Sequence, residues 1–464
     1  MNKRNNKILI VISSDLFVRN YILTDAFSKL ESMYECHYVA EEGITNREGL
    51  LLKPGFNGFY KIESAVKTKH QKIFDTLMWA YRGRSSSFRF RIRRQMPDFK
   101  RVISGPPRRL HLRFLKWTFL KPYMVMKGLI LDVTFINRLY LKWLTRSIHP
   151  NSELNTYIDK KDYDLVIFPS SAYDVDGIDV AWITEVKKMS SLFLIDNWDN
   201  ISSKSILWKK PKFLAVWGEQ SKNHAIKIQE FDKNKITLLG TPRFDNYFRT
   251  RDLVLKSHFD FKYILFVGTA LNFDEESLLD QIDVVIENNK AIWGNVKIVY
   301  RPHPWRQNNC QVRNSYGKHV VTDPQILEAK NNKTIETQPR LEYYSGLLQN
   351  AEFVMGGLTS MLIESLIFRK QFLAFVHDDD KYISNMRNAW DHFEHFQGLE
   401  NVEAMSFSRD NSDIEKSMLD CWSKRDLIEA ETYDEERMAY LYDDGDDFLM
   451  SKVNDYVASY IKVI

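Results

Sequence analysis

Residues 296–305 read VKIVYRPHPW, and the reading of the whole chain turns on them. Val296, Ile298 and Tyr300 alternate with Lys297 and Val299, which predicts a strand entering a sheet. The run stops at Arg301-Pro302-His303-Pro304. Each proline removes a backbone donor and pushes the residue before it into an extended conformation. Arg301 and His303 are therefore expected to be held out stiffly at the carboxyl end of a strand, where open α/β sheets bind ligands. A guanidinium and an imidazole fixed there suit a phosphate or pyrophosphate, through charge-assisted hydrogen bonds. A proline-bounded turn with solvated Arg and His fits the same four residues, so the surrounding chain has to decide.

On either side the rhythm is strand, loop, helix, strand. Residues 262–267 (KYILFV) predict a strand running into Gly268-Thr269-Ala270, followed by a helix over 275–288 and the strand at 296–300. A polar stretch extends to about 333. Then come a short helix over 344–350, a strand over 352–355, the loop 356–360, a helix over 361–368 and a strand over 372–376. The earlier part has the same pattern. Strands are expected at 7–13, 37–40, 164–169, 191–195, 212–217 and 235–239, with helices over 17–30, 73–81 and 221–229. Two such series predict an α/β protein with two doubly wound parallel sheets. The charged, polar stretch 249–260 marks the junction. The expected domains are 1–248, carrying an insertion at 82–148, and 258–440, with a closing helix in 441–464. Neither first strand is followed by Gly-x-Gly-x-x-Gly, which argues against a dehydrogenase.

The totals, 464 residues with 44% hydrophobic and 27% charged, are those of a soluble globular chain of two or three domains. Cys36, Cys310 and Cys421 are odd in number and far apart. They form neither a disulfide framework nor a zinc pattern, and a reducing cytosol is expected. The opening MNKRNNKILIVIS reads as a first buried strand rather than a signal peptide, and no run of about 18 apolar residues predicts a membrane span. The net charge of +4 hides an asymmetry. Residues 82–146 hold 17 Lys/Arg against two acidic residues, Asp98 and Asp132, and the remainder is net acidic. Residues 82–107 read as loop, and 108–148 as helical, with aromatic and basic residues interleaved. That composition suits an anionic membrane surface. It also suits single-stranded nucleic acid, or a buried helix pair with a solvated basic face.

The second chemical element is residues 356–364, GGLTSMLIE. Gly356 and Gly357 let backbone approach a ligand. Thr359 and Ser360 supply hydroxyls and a helix cap, and the new helix offers N–H groups to a phosphate. Glu364, one turn on from Ser360, is placed to accept the two hydroxyls of a ribose. The plain alternative is a glycine-bearing turn with a serine cap and an exposed glutamate.

In order, KYILFVGTA, VKIVYRPHPW and EYYSGLLQNAEFVMGGLTSMLIESLIFRKQFLAF resemble the C-terminal domain of GT-B glycosyltransferases of bacterial surface-polysaccharide synthesis, such as capsule or O-antigen. They are also similar to the CDP-glycerol glycerophosphotransferase-like group. LLGTPRFD resembles that group's Gly-x-Pro-Arg-x-Asp segment. The resemblance covers roughly residues 235–376. It implies two Rossmann-like domains facing a cleft, with Arg301, His303, Thr359 and Ser360 on the donor's phosphates and Glu364 on its ribose. Gly268, Thr269, Gly356, Gly357 and Arg243 complete the donor set. The glycerophosphotransferase group carries an aspartate and tandem serines where this chain has GGLTS, which shifts the expectation from a CDP-polyol to a nucleotide sugar, a CMP-linked acid included.

The resemblance also implies that the first domain takes the acceptor and supplies a carboxylate base, with Asp196, Asp199 and Asp15 the candidates at strand ends. Arg19, Asn197, Trp198 and Asn200 would meet the acceptor. A capping or turn role fits the loop DNWDN equally well. No metal is expected; His377 and the acidic residues after it read as a solvated loop. The last helix, 448–464, is expected to cross back to the first domain. The protein so read is a cytoplasmic glycosyltransferase, peripheral to the inner face of the membrane. It uses a nucleotide-sugar co-substrate and no cofactor, takes a lipid-linked or polysaccharide acceptor, and docks on anionic membrane through residues 82–146. A polyol-phosphate transferase, a nucleotide-sugar epimerase of the same fold and a nucleic-acid-binding protein are the rivals; no nucleic acid is expected.

Overall fold

The computed structural model describes residues 6–443, except 96–108, 147, 272, 305, 307–311, 332–338, 340 and 379–384. The chain forms two compact units that divide between Arg243 and Phe244, and it returns to the first at Leu441. There Tyr442 N–H donates to Trp217 O at 2.7 Å. Of the expected stretch 441–464, residues 444–464 lie outside the described residues, and with them the closing helix; so do Asp379 and Asp380.

The first unit is built on seven parallel strands: β1 Lys7–Ile12, β2 Glu35–Glu41, β3 Phe56–Tyr60, β4 Leu165–Ser170, β5 Ser190–Ile195, β6 Phe213–Val216 and β7 Ile236–Leu238. Their order is β3-β2-β1-β4-β5-β6-β7. β1 pairs with β2 from Lys7↔Glu35 to Ile12↔Ala40, and with β4 on its other side. Helices cover both faces of such a sheet, so its strands are continuous apolar runs rather than alternating ones. Ile8, Ile10 and Ile12 enter one core with Phe17, Tyr21 and Phe27. Leu9 and Val11 enter the other with Val166, Phe168 and Val180.

The second unit has six parallel strands: β8 Tyr263–Val267, β9 Lys297–Arg301, β10 Val320–Thr322, β11 Ala351–Gly356, β12 Phe372–Phe375 and β13 Met405–Ser408. Their order is β10-β9-β8-β11-β12-β13. Both sheets thus begin in the middle, build outward to one edge, and then start again beside the first strand. The places where the order reverses, β1/β4 and β8/β11, are topological switch points, and ligands bind at the carboxyl ends of strands there.

Some elements differ from the sequence reading. The helix expected over 17–30 is broken into Asp15–Phe17, a π turn at Val18–Ile22 and Ser28–Met33, although the apolar face remains buried. Residues 82–107, read as loop, contain the helix Ser86–Gln95, which buries Phe88, Phe90 and Ile92. The helices Leu110–Asp132 and Thr134–Thr145 follow as expected. With Ser64–Ala80 they enclose a third core that includes Trp79, Phe88, Ile92 and Leu131.

Candidate functional site

At the switch point of the second sheet, three loops are laced together by one buried ion pair. Glu275 opens the helix Glu275–Asn288. Its carboxylate accepts from Thr269 N–H at 2.9 Å and from the Tyr300 hydroxyl at 2.6 Å. It also pairs with Arg306 at 2.9 Å. Arg306 in turn donates to the carbonyls of Thr269, Leu271 and Phe273. The loop after β8 is thereby tied to the loop after β9. Thr269 Oγ1 donates to Leu358 O at 2.8 Å and ties in the loop after β11. Burial pushes the Glu275 carboxyl up, and Arg306 opposes it.

The glycines are required by this closeness. A Cβ on Gly268 would lie 2.6 Å from His303 N, and one on Gly357 2.7 Å from Thr269 Cγ2. Gly356 has φ +154° and leaves 2.1 Å between an added Cβ and Val267 O, so it answers both a conformational and a steric demand.

Arg301 and His303 sit where the sequence placed them, but in different states. Arg301 is not held out toward solvent. It is buried, paired with the fully buried Asp323, and donates to Gln325 Oε1 at 3.0 Å and the Tyr344 hydroxyl at 3.2 Å. An arginine so engaged fixes the end of β9 and the edge strand β10 rather than offering a free fork to a phosphate. His303 is half-buried, and burial together with the Arg306 charge pushes its pKa down to about 4. It is a neutral imidazole at pH 7, an N–H donor without charge.

Ser360 makes no side-chain cap bond, and the helix Met361–Ile367 is a short seven residues. Its contribution is its side chains. Ser360 Oγ donates to Glu364 Oε1 and the Tyr247 hydroxyl to Glu364 Oε2, both at 3.2 Å. Glu364 is buried rather than exposed, and Thr359 and Ser360 are half-buried beside it.

The first unit's switch point is filled by side chains. Ser14 caps the turn after β1, its Oγ accepting from Phe17 N–H. The π turn then aims the fully buried Asn20 at the end of β5, where Asn20 Nδ2 donates to Asp196 Oδ1 at 2.9 Å. Arg19 Nε donates to Asn20 Oδ1 at 3.2 Å. Burial pushes the Asp196 carboxyl up, opposed by the Arg243 charge, the Asn20 hydrogen bond and the Arg19 charge in that order. Arg243 itself lies over the Trp217 ring at 4.9 Å. Asp174 stands by, its carboxylate accepting from both hydroxyls of Ser170 and Ser171.

Asp196, Arg19 and Arg243 are therefore brought together. The other expected residues have local duties. Asp15 accepts from Thr45 N–H, Thr45 Oγ1 and Asn46 N–H and holds the loop after β2. Asp199 accepts from Ser203 Oγ at 3.0 Å and lies 3.5 Å from Lys204 Nζ, in the turn that starts Asn200–Ser203. Trp198 and Asn200 are buried, and Asn197 accepts from Trp198 N–H. Asn20, Glu275, Arg306, Tyr247 and Asp323 were not in the sequence reading. Arg306, two residues beyond the Pro-His-Pro turn, and Tyr247, two residues beyond LLGTPRFD, stood close to recognised motifs.

No family model and no curated protein matches the sequence. Solved structures do. A protein from Listeria monocytogenes, assigned as a UDP-N-acetylglucosamine 2-epimerase, matches with a TM-score of 0.55 and 11% identity, over 99% of this chain and 98% of that one. The MnaA–UDP co-structure from S. aureus matches with a TM-score of 0.50 and 11% identity, over 99% and 98%. The wall teichoic acid polymerase TagF matches with a TM-score of 0.47 and 12% identity, over 98% and 88%. With two Rossmann-like units of parallel sheet, the fold of this chain is GT-B.

Proposed function

We propose that the protein is a glycosyltransferase that moves a sugar from a nucleotide-sugar donor to a lipid-linked or polysaccharide acceptor. The observation that carries this reading is the second switch point. There Glu275 and Arg306 hold three loops rigidly, and they present the His303 imidazole, the Thr359 and Ser360 hydroxyls and the buried Glu364 carboxylate. The Thr359 hydroxyl and the His303 N–H suit the diphosphate, and Glu364, whose two oxygens each keep a second lone-pair site beside the Ser360 and Tyr247 hydroxyls, suits a ribose. Because Arg301 is committed to Asp323, it acts here as a positioning residue.

In the first unit Asp196 is the base. The acceptor oxygen attacks the anomeric carbon, the bond from that carbon to the phosphate oxygen breaks, and the nucleotide leaves with the electron pair. Asp196 takes the acceptor proton in an inverting reaction. A retaining reaction leaves that proton to the donor phosphate.

The test is thermal protection of wild type and His303→Ala by UDP-, GDP-, CDP- and CMP-linked donors. Protection by one nucleotide class, lost in the variant, is the expected result; protection by none overturns the donor site. Turnover of the protecting donor without any acceptor identifies an epimerase, and protection by CDP-glycerol alone identifies a polyol-phosphate transferase.

A further inference from the structure

The helices Leu110–Asp132 and Thr134–Thr145 are apolar on the side that a surface helix normally keeps polar. The first helix packs inward through Arg113, Trp117, Leu120, Met124, Gly128 and Leu131, at steps of three and four. Gly128 is required by that contact, since a Cβ there would lie 2.6 Å from the Trp79 ring. Arg82 closes it by pairing with Asp132. On the opposite side runs a second stripe at the same spacing, Leu112, Leu115, Phe119, Tyr123, Met126 and Ile130, every member exposed and Phe119 71% so. The second helix repeats the arrangement. Phe135, Leu139 and Trp143 face outward, Phe135 and Trp143 at 69% and 67%, and Arg138, Lys142 and Arg146 run beside them at the same interval of four. Residues 110–146 carry seven Lys/Arg and a single acidic residue, Asp132.

Beside this face opens a cavity of about 280 Å³, lined by Trp79, Arg89, Ile92, Arg93, Val125 and Leu129. Arg89 and Arg93 lie one turn apart, both exposed, and neither has a side-chain partner among the described residues. Two uncommitted guanidinium groups over an apolar floor match a phosphate with hydrocarbon attached.

We infer that this helical pair lies in the plane of an anionic phospholipid bilayer, with its outward stripes among the acyl chains and one lipid phosphate held by Arg89 and Arg93. The chemistry of this face selects the occupant. A second copy would bring the same positive charge against itself. Nucleic acid stacks on aromatic rings, whereas half of the longer stripe is aliphatic. Neither helix is long and apolar enough to cross a membrane, and an apolar face flanked by Lys and Arg is what an interfacial helix presents. The inference is independent of the transferase reading, because docking needs neither donor nor acceptor.

The experiment is co-sedimentation of the full chain with phosphatidylcholine vesicles, with and without phosphatidylglycerol. Wild type is expected to sediment with the anionic vesicles. The triple variant Phe119→Glu, Phe135→Glu and Trp143→Glu is expected to bind roughly tenfold or more weakly. Arg89→Gln with Arg93→Gln is expected to lose most of the preference for phosphatidylglycerol over phosphatidylcholine. All five side chains face solvent, so unfolding temperatures are expected to match wild type; the single Phe119→Glu serves if the triple variant does not fold. Four results overturn the inference: no sedimentation with anionic vesicles, a triple variant that binds like wild type, self-association relieved by the triple variant, or binding of glycerol phosphate with no vesicle binding.

Discussion

After β1 the chain fills its switch point with side chains. The π turn delivers Asn20 onto Asp196, and Arg19 and Arg243 set their charge around it. After β8 the equivalent place is filled by backbone, with Gly268, Gly356 and Gly357 letting three loops meet while Glu275 and Arg306 clamp them from beneath. Two sheets with the same order of their first six strands thus prepare different chemistry. The first holds an ionisable carboxylate in surroundings that tune it. The second is a fixed frame, which in the proposed function receives a ligand that brings its own charge. Titration of the first should change rate, and disturbance of the second should change stability and binding.

The sharpest way to break that division is Asp196→Asn. Removal of a general base costs roughly 10²–10⁴ in rate, and the amide still accepts from Asn20. Turnover should therefore collapse while the unfolding temperature and donor protection stay near wild type. Activity within a few-fold of wild type would remove Asp196 from the reaction.

Arg306→Met should do the reverse. It leaves Glu275 buried without its cation and three carbonyls without their donor, and breaking a buried pair costs about 3–5 kcal/mol. The pH dependence has a definite sign. The Glu275 pKa is already raised in the fold and rises further without Arg306. The folded state then binds more protons than the unfolded one above the ordinary carboxylate range, and stability falls as pH rises. Denaturant unfolding at pH 5 and pH 8 should show the larger loss at pH 8. An equal loss at both would mean that Arg306 acts only through its carbonyl bonds.

Gly356→Ala follows, at about 1–3 kcal/mol for strain and overpacking together. Its effect should be confined to the second unit and seen as a lower unfolding temperature with donor protection weakened. The same substitution at Gly83, where an added Cβ meets nothing within 4 Å, should have little effect.

The strands were legible because parallel sheets bury both faces: YILFV and LIVI need no partner to be recognised. What escaped depends on distance. β3, with Gly58 inside it, and the three-residue β10 are edge strands too short and mixed to stand out. The helix Ser86–Gln95 hid in SSFRFRIRRQ, where the apolar residues alternate as in a strand. Arg301 and His303 were found at the right strand end, but their states were not. Asp323, 22 residues on, claims the arginine, and burial neutralises the imidazole. Asn20 and Glu275 gain meaning only from residues 176 positions away in one case and from a buried ion pair in the other. A polar residue's role lies in what surrounds it, and sequence spacing does not show that.

The smallest effect probes the tuning of Asp196. Arg243 is the foremost influence holding that carboxyl down against burial. In Arg243→Gln the positive charge is gone, the ionised form of Asp196 is less favoured, and its pKa rises. A base must be ionised to accept a proton, so the acid limb of the kcat/KM profile should move to higher pH, while the plateau rate changes little. The substitution also removes the guanidinium from the Trp217 ring, which costs some packing, so the position of the limb is the measurement and not the absolute rate. Arg243→Lys keeps the charge and should keep the limb in place. Had Arg243 instead been a ligand of the donor phosphates, as the sequence suggested, both variants would raise KM for the donor and leave the limb where it was.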